Sequence, residues 1–552
     1  MPNPPIGQSE PAELALSWRF RRRSTRSMPV ELLAPSLLVT ALVLLPLGYL
    51  IYRASQADEG VFHLLARRRT VDLIVDTALL AGAVSVTAAL IAVPLAWLTL
   101  RADLPGRRVF AAVAILPLVI PSYVGAIAYV AAVGPRGDLH GWLQRWFGID
   151  TIPSIYGFFG AWLILSLFTY PYVYLNVSAA LAGLDPSIED AARGLGQGPL
   201  ATFFRITLPM LRPSILAGML LSALYTVSDF GVVTLLRYDS LTRAIYVQYR
   251  ASFDRSYAAA LSLVLILFTL TLLFAEMKLR GSGRQARLGP GVSRRARRIV
   301  LGRWRYPALA YVLLVLGLSL ALPVLVLANW LVRAWRRGDD FGQLGAATWN
   351  TLMLGVSGAA IATLLAIPVA VLAVRYRNRF SLTIERLTFV GYGLPGLTIG
   401  LAFVFIGANY LPRFYQTVPL LLVAYLVRFI PQAVGSTRSS LLQIAPNVED
   451  AARGLGETAH GTLRRVTAPL ALPGIGAGAL LIFLTVVKEL PMTLLLRPTG
   501  METLATEIWT ASSTSGFGRA AAPAIVLMLI SVVPALVLLN RTRPDRIESI
   551  PE

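Results

Sequence analysis

Two charged pairs lie inside apolar runs of this 552-residue chain. Asp229 and Arg237 belong to Val227-Ser228-Asp229-Phe230-Gly231 and the Leu235-Leu236-Arg237 that follows. Glu489 and Arg497 belong to Val487-Lys488-Glu489-Leu490-Pro491 and Leu495-Leu496-Arg497. An offset of 260 relates them: Asp229 to Glu489, Gly231 to Pro491, Arg237 to Arg497. An ionisable group in hydrocarbon is costly and marks function by default. A helix breaker two residues after each acid predicts interrupted helices whose freed backbone groups line a cavity. Oxygen ligands such as Asp229, Glu489, Tyr225 and Tyr238 suit transient passage of a hard cation better than tight binding. Each Arg stands roughly 12 Å and about 80° around a helix from its acid, so partners must come from other helices. Two carboxylates brought together would repel, leaving one protonated or paired with Arg237, Arg497 or Lys488. Ion pairs that only hold a bundle together are the competing reading.

Other chemistries lack their residues. Cysteine is absent, which removes disulfides, thiolate ligands and Cys nucleophiles. His63, His140 and His460 are far apart and without ligand spacing, so no tightly bound metal is expected. No GxxxxGK[ST] occurs, and no zinc or Ser/His pattern falls inside an apolar run.

The most distinctive stretch is polar. Glu189–Pro209, EDAARGLGQGPLATFFRITLP, returns as Glu449–Pro469, EDAARGLGETAHGTLRRVTAP. Ser187 and Asn447 suit N-caps, and Asp190 and Asp450 three residues on make a variant capping box. Ala191-Ala192-Arg193 and Ala451-Ala452-Arg453 keep a helix going and leave a small face. Gly194 and Gly196, like Gly454 and Gly456, end it. A second short helix then runs to Pro209 or Pro469, which stops it. The segment, carried twice between apolar runs, predicts docking onto something outside the membrane.

The spacing Asp190-Ala191-Ala192-x3-Gly196-x9-Ile206-x-Leu208-Pro209 resembles the EAA loop of ABC importer permeases. Asp replaces the usual first Glu, and Val466 and Ala468 stand in the second copy for the Ile and Leu. KELPMTLLLRPTGMETLATEIW, with its counterpart SDFGVVTLLRYDSLTRAIY, is similar to ferric-iron ABC importer permeases, whose halves are commonly fused. The resemblance implies that Glu189, Asp190, Ala191, Ala192 and Gly196, with Glu449, Asp450, Ala451, Ala452 and Gly456, form coupling helices. These would dock on two copies of a cytoplasmic ABC ATPase subunit. It further implies a periplasmic or extracellular substrate-binding protein that delivers Fe³⁺, and a bacterial inner membrane location with both termini cytoplasmic. ATP and Mg would be used by the ATPase, with no cofactor in this chain, which would be a transport subunit and not an enzyme.

Composition agrees. Hydrophobic residues make up 56% and charged residues 14%, with mean hydropathy +0.65. Runs of about 20 apolar residues, enough to cross a hydrocarbon core of about 30 Å, recur along the chain. The net charge of +21 comes from Arg in short loops and tails beside them, which is the pattern of inner loops and does not call for nucleic acid. The run Arg67-Arg68-Arg69 departs from that rule. The expected fold is all-α and polytopic, with two parallel repeats of about six spans. Spans are placed at about 32–52, 74–99, 109–133, 156–178, 213–236 and 257–276. The second set is placed at about 307–331, 349–374, 386–409, 418–436, 473–496 and 521–540. Asp76 through Pro94 matches Asn350 through Pro368, and Pro121 matches Pro395, at an offset of 274. The implied domains are a cytoplasmic arm 1–29, a first permease domain 30–277, a basic linker 278–305, a second permease domain 306–540 and a tail 541–552. No cleavable signal is read at the start. Thiamine or another small solute is the alternative cargo. A secondary transporter is the alternative class, opposed by the parallel repeat and the duplicated loop.

Overall fold

The computed structural model of the protein describes residues 28–56, 63, 65–134, 137, 145–148, 154–251, 256–282, 298–514 and 516–541. The expected arm up to residue 27, His140, the linker from 283 to 297 and the tail beyond Arg541 lie outside these residues.

Hydrocarbon offers backbone groups no water, so apolar runs must satisfy them internally as helices. The first half contains α1 (Val30–Ser55), α2 (Arg68–Arg101), α3 (Arg107–Val113), α4 (Ser122–Val133), α5 (Phe158–Gly183) and α6 (Pro186–Gly194). It continues with α7 (Pro199–Ser228), α8 (Gly231–Leu235), α9 (Leu241–Ala251) and α10 (Ser256–Ser282). The second half repeats the order with α11 (Gly302–Arg337), α12 (Leu344–Arg375), α13 (Arg379–Phe389), α14 (Gly396–Tyr410) and α15 (Val418–Leu442). Then come α16 (Pro446–Gly454), α17 (His460–Val486), α18 (Pro491–Leu496), α19 (Leu504–Ser513) and α20 (Phe517–Arg541). Among the described residues no strand occurs beyond one isolated bridge, Ala102 with Ile299. Among the described residues ten helices are long and apolar enough to cross a membrane, or up to twelve if each bent pair is one span. The protein is an all-α polytopic membrane protein built of two parallel repeats.

Two spans differ from the straight helices expected at 109–133 and 386–409. Arg107–Leu118 meets Ser122–Val133 at 95°, and Arg379–Gly393 meets Gly396–Tyr410 at 101°. The cause is Pro121 and Pro395, which lack an N–H and stand in extended backbone at the starts of α4 and α14. The opposite correction holds at Pro209 and Pro469. Neither ends a helix, because π-turns at Phe203–Thr207 and Leu463–Thr467 shift the hydrogen-bond register just before them. α7 and α17 therefore run unbroken through both prolines.

The first helix of each half packs on the other half. α1 lies against α12, α13 and α14, with Thr40 Oγ1 3.5 Å from Thr388 Oγ1. α11 lies against α4 and α20. Its π-turn Gly317–Ala321 precedes Pro323, which cannot donate, and Tyr129 Oη supplies a hydrogen bond to the Leu318 carbonyl at 2.9 Å. Small residues allow close crossings within each half: a Cβ on Gly218 of α7 would lie 2.6 Å from Val173 Cα of α5. The outer faces present bare aliphatic side chains such as Val75, Leu79, Leu90, Val356 and Leu364, as lipid contact requires.

Candidate functional site: two anchored loops and two broken helices

α2 and α5 end beside α6, and α12 and α15 end beside α16, so one end of the bundle carries both duplicated loops. Asp185, not Ser187, is the N-cap of α6: its Oδ1 accepts the Ser187 N–H at 2.9 Å. That bond holds the Asp185 carboxyl below its ordinary range. α16 starts at Pro446 behind Ala445, with no side-chain cap, so Asn447 does not fill that role either. Proline fits the first turn because its missing N–H would have been unpaired there. It moves each helix start two residues earlier than the polar residues suggest, to N-caps Asp185 and Ala445 instead of Ser187 and Asn447.

Both glutamates turn inward. Glu189 is 7% exposed and Glu449 8%. Glu189 Oε1 accepts Thr207 Oγ1 at 3.1 Å and faces Arg101 Nε at 3.8 Å. Arg101 Nη2 in turn donates to the Leu181 carbonyl at 2.9 Å. The second half repeats the network: Thr467 Oγ1 at 3.0 Å and Arg375 Nη2 at 2.7 Å from Glu449 Oε1, and Arg375 Nη2 at 3.3 Å from the Leu441 carbonyl. Each glutamate thus ties its loop to the end of the second span, the end of the fourth and the π-turn below the fifth. Arg101, Arg375, Thr207 and Thr467 were not singled out from sequence, although each pair is an identity in the repeat and so carried the signal.

The small face also turns inward. Ala192 and Ala452 are buried, while Asp190, Ala191, Asp450 and Ala451 are exposed. What each loop presents outward is Leu195 at 85% and Leu455 at 88% exposure. They precede Gly196 at φ 83° and Gly456 at φ 93°, the left-handed turns that set each leucine at its apex. His460 is exposed on α17 and His63 is exposed. Among the described residues no cluster of His, Cys, Asp and Glu could hold a metal.

The fifth spans break after running up from the loops. α7 stops at Ser228 and α8 begins at Gly231; α17 stops at Val486 and α18 begins at Pro491. The acids in the gaps take up the free ends. Asp229 Oδ1 accepts the Val232 N–H at 2.8 Å, Oδ2 accepts Ser122 Oγ at 2.6 Å, and Ser122 Oγ accepts Tyr225 Oη at 3.0 Å. Glu489 Oε1 accepts the Met492 N–H at 3.2 Å. Ser122 corresponds to Gly396 at the offset of 274, and a Cβ on Gly396 would lie 2.8 Å from Glu489 Oε1. The shorter acid faces the hydroxyl and the longer acid faces the glycine, so the pair is size-matched in both halves.

The expected pairing of these acids with Arg237, Arg497 or Lys488 does not occur. Arg237, at φ 55°, stacks its guanidinium 5.6 Å from the Tyr156 ring. Arg497 pairs with Glu502 and donates to the Met501 carbonyl at 2.8 Å. Lys488 Nζ donates to the Leu118 carbonyl at 2.8 Å. Both arginines are drawn into the loops that follow α8 and α18, where nearer acceptors and a ring satisfy them. Phe230 in the first break lies 5.1 Å from Trp509 of α19, so the broken region belongs to the interface between halves.

Comparison with known proteins agrees with this architecture. The family described as binding-protein-dependent transport system inner membrane component matches twice, at 85–277 and 362–540. The Fe(3+)-transport system permease protein FbpB 2 of Haemophilus influenzae is 31% identical over 90% of this chain and 95% of its own. The molybdenum transport system permease protein ModB of Escherichia coli is 32% identical over 35% of this chain and 85% of its own. A probable sulfate transport system permease protein cysT of Nephroselmis olivacea is 27% identical over 44% and 86%. Two full repeats, each with its anchored loop and broken fifth span, and two family matches along one chain lead to one assignment: the protein belongs to the binding-protein-dependent transport system inner membrane component family, as a multi-pass permease with both of its domains fused.

Proposed function

We propose that the chain is the membrane subunit of an ATP-driven importer of ferric iron. Two copies of an ABC ATPase subunit dock on α6 and α16 at the cytoplasmic end, and both termini lie on that side. A substrate-binding protein delivers the cargo at the opposite end, and the halves alternate access between the two. ATP and Mg act on the ATPase, and this chain carries no cofactor of its own. The observation that carries this reading is the duplicated loop. A nearly bare leucine on a helix tied down by a buried Glu–Arg–Thr network is a rigid, exposed apolar knob, and such a knob favours a partner surface. Iron rests on the printed name of the 31% relative that spans nearly the whole chain.

Within the pathway, Glu489 is the acid open to a passing cation, being half-buried, whereas Asp229 is buried and has both oxygens engaged. Arg237 and Arg497 shape the loops after the short helices. Replacing Asp229 with Asn and Glu489 with Gln should lower uptake steeply while ATP hydrolysis stimulated by the binding protein persists in part.

Transport into vesicles tests the whole reading. The chain, its ATPase and a candidate binding protein are reconstituted, and uptake of Fe³⁺ is compared with thiamine, sulfate and molybdate. ATP-dependent Fe³⁺ uptake is expected. Uptake of another solute overturns iron alone, and uptake that needs no ATPase overturns the importer class.

A further inference from the structure

The two bent spans free the same backbone group in each half, and the two halves satisfy it differently. In the first half Pro121 has no N–H, and its extended backbone turns the Ser122 N–H away from the preceding turn Leu116–Leu118. The Leu118 carbonyl is left without a helical donor at a depth where an unpaired acceptor is costly. Lys488 Nζ fills it at 2.8 Å, reaching across from the other half. In the second half Pro395 frees the Tyr392 carbonyl, which corresponds to Leu118 at the offset of 274. There the donor comes from within the same half: Arg428 Nη1 on α15, at 3.3 Å from the Tyr392 carbonyl and 2.7 Å from that of Leu394. The offset of 260 puts Ser228 opposite Lys488 and Phe168 opposite Arg428, so the first half supplies neither cation.

We infer that Lys488 is a positioning residue for transport, a latch that holds the bend between α3 and α4 against the broken span of the other half. Both ends of this bond sit outside the α-helices: Leu118 closes the 3₁₀ turn Leu116–Leu118 before the bend, and Lys488 lies between α17 and α18. Any separation of the halves at this level lengthens it. The second bend carries its cation with it, and what the other half adds there is a neutral hydroxyl, Thr269 Oγ1 of α10 on the Gly393 carbonyl. The two bends are therefore held unequally despite their shared fold: the first draws its cation from the other half, the second from its own. The inference rests on the reading of the chain as a transport subunit but not on the cargo.

The chain has no cysteine, so one introduced thiol is its single site of labelling, read on this chain's own band. Leu118→Cys, whose side chain is half-buried, is labelled with a small maleimide in the reconstituted complex with its ATPase, with no nucleotide and after vanadate trapping. With Lys488 in place, labelling without nucleotide should be slow and change on trapping. Lys488→Met should raise the nucleotide-free rate at least five-fold and remove most of the difference between the two states. It should also raise the ATP hydrolysed per cargo molecule. Lys488→Arg, which keeps a cationic donor, should restore both. A Lys488→Met complex that assembles fully and keeps the original labelling rate overturns the latch. Failure of Lys488→Met and Lys488→Arg alike to assemble also overturns it, in favour of a purely structural lysine. Should Lys488→Met alone fail, Lys488→Leu, which also lacks a donor, is measured in its place against the same criterion. Normal latch behaviour with no Fe³⁺ uptake would reject iron and leave the latch standing.

Discussion

At the scale of single residues, the duplicated loop separates two jobs. Glu189 and Glu449 anchor, while Leu195 and Leu455 face outward. Removing one partner of a buried ion pair leaves the other charge unpaired, at up to about 3–5 kcal/mol. Glu449 meets Arg375 at 2.7 Å, whereas Glu189 stands 3.8 Å from Arg101, beyond hydrogen-bond reach. Glu449→Ala should therefore lower the thermal midpoint of the detergent-solubilised protein more than Glu189→Ala, and Arg375→Met should recover part of the loss. The leucines behave in the opposite way. Leu195→Ser with Leu455→Ser removes no internal packing, so the midpoint should stay unchanged. If a partner buries each leucine, the loss is about 1.5–3 kcal/mol per site, roughly 10–100-fold in affinity. Binding of the ATPase subunit to the immobilised chain reads that directly. Unchanged binding would move the docking surface elsewhere.

At the scale of elements, turns decide where side chains point. Gly196 and Gly456 have open space around an added Cβ, so only their positive φ restricts substitution. Gly196→Val with Gly456→Val should cost about 1–2 kcal/mol at each turn and swing both leucines off their apices. The double variant is expected to insert in the membrane at normal levels and to transport nothing. Normal uptake by a well-expressed double variant would rule out the loops as the coupling elements. The longer elements repay the same attention. A 34-residue α2 is roughly 50 Å long, well beyond a hydrocarbon core of about 30 Å. It must tilt or project, and its last residue, Arg101, reaches the loop network at one end of the bundle.

At the scale of the whole molecule, the halves are similar units that are not self-sufficient. α1 covers the second half and α11 covers the first, and Lys488, Tyr129 and Phe230 all make contacts across the boundary. Residues 1–285 and 300–552, expressed together as two chains, should therefore co-purify and transport at a rate near that of the intact chain. The reason is that the exchanged helices hold the halves together without a covalent tether. Either piece expressed alone should be unstable, since its partner's first helix would leave an apolar face bare. Pull-down on a tag at one piece, followed by uptake assay, checks both outcomes. Stable pieces that fail to associate would show that the linker is needed.

Much of this protein was legible in its residues. Apolar run length alone predicts the spans, because a bilayer leaves the backbone no alternative to helix. The offsets of 274 and 260 predict the two parallel repeats, and Gly231 and Pro491 predict the breaks that contain Asp229 and Glu489. The duplicated EDAARGLG marks the two loops that the bundle anchors at one end, and its resemblance to a family follows from spacing. What the residues could not convey was direction. Whether Glu189 points inward or outward depends on where Arg101 ends its helix, 88 positions earlier in the chain. Whether Pro121 bends a span by 95° or is absorbed, as Pro209 is by a π-turn, depends on what stands ready to satisfy the freed carbonyl. The partner of Lys488 lies 370 residues away in the other half, at a backbone oxygen that carries no sequence signal at all. Side-chain chemistry and period are local properties, and local properties set the helices, the repeat and the turns. The pairing of charges and of freed backbone groups is set by which helix ends meet, and only the packed bundle decides that.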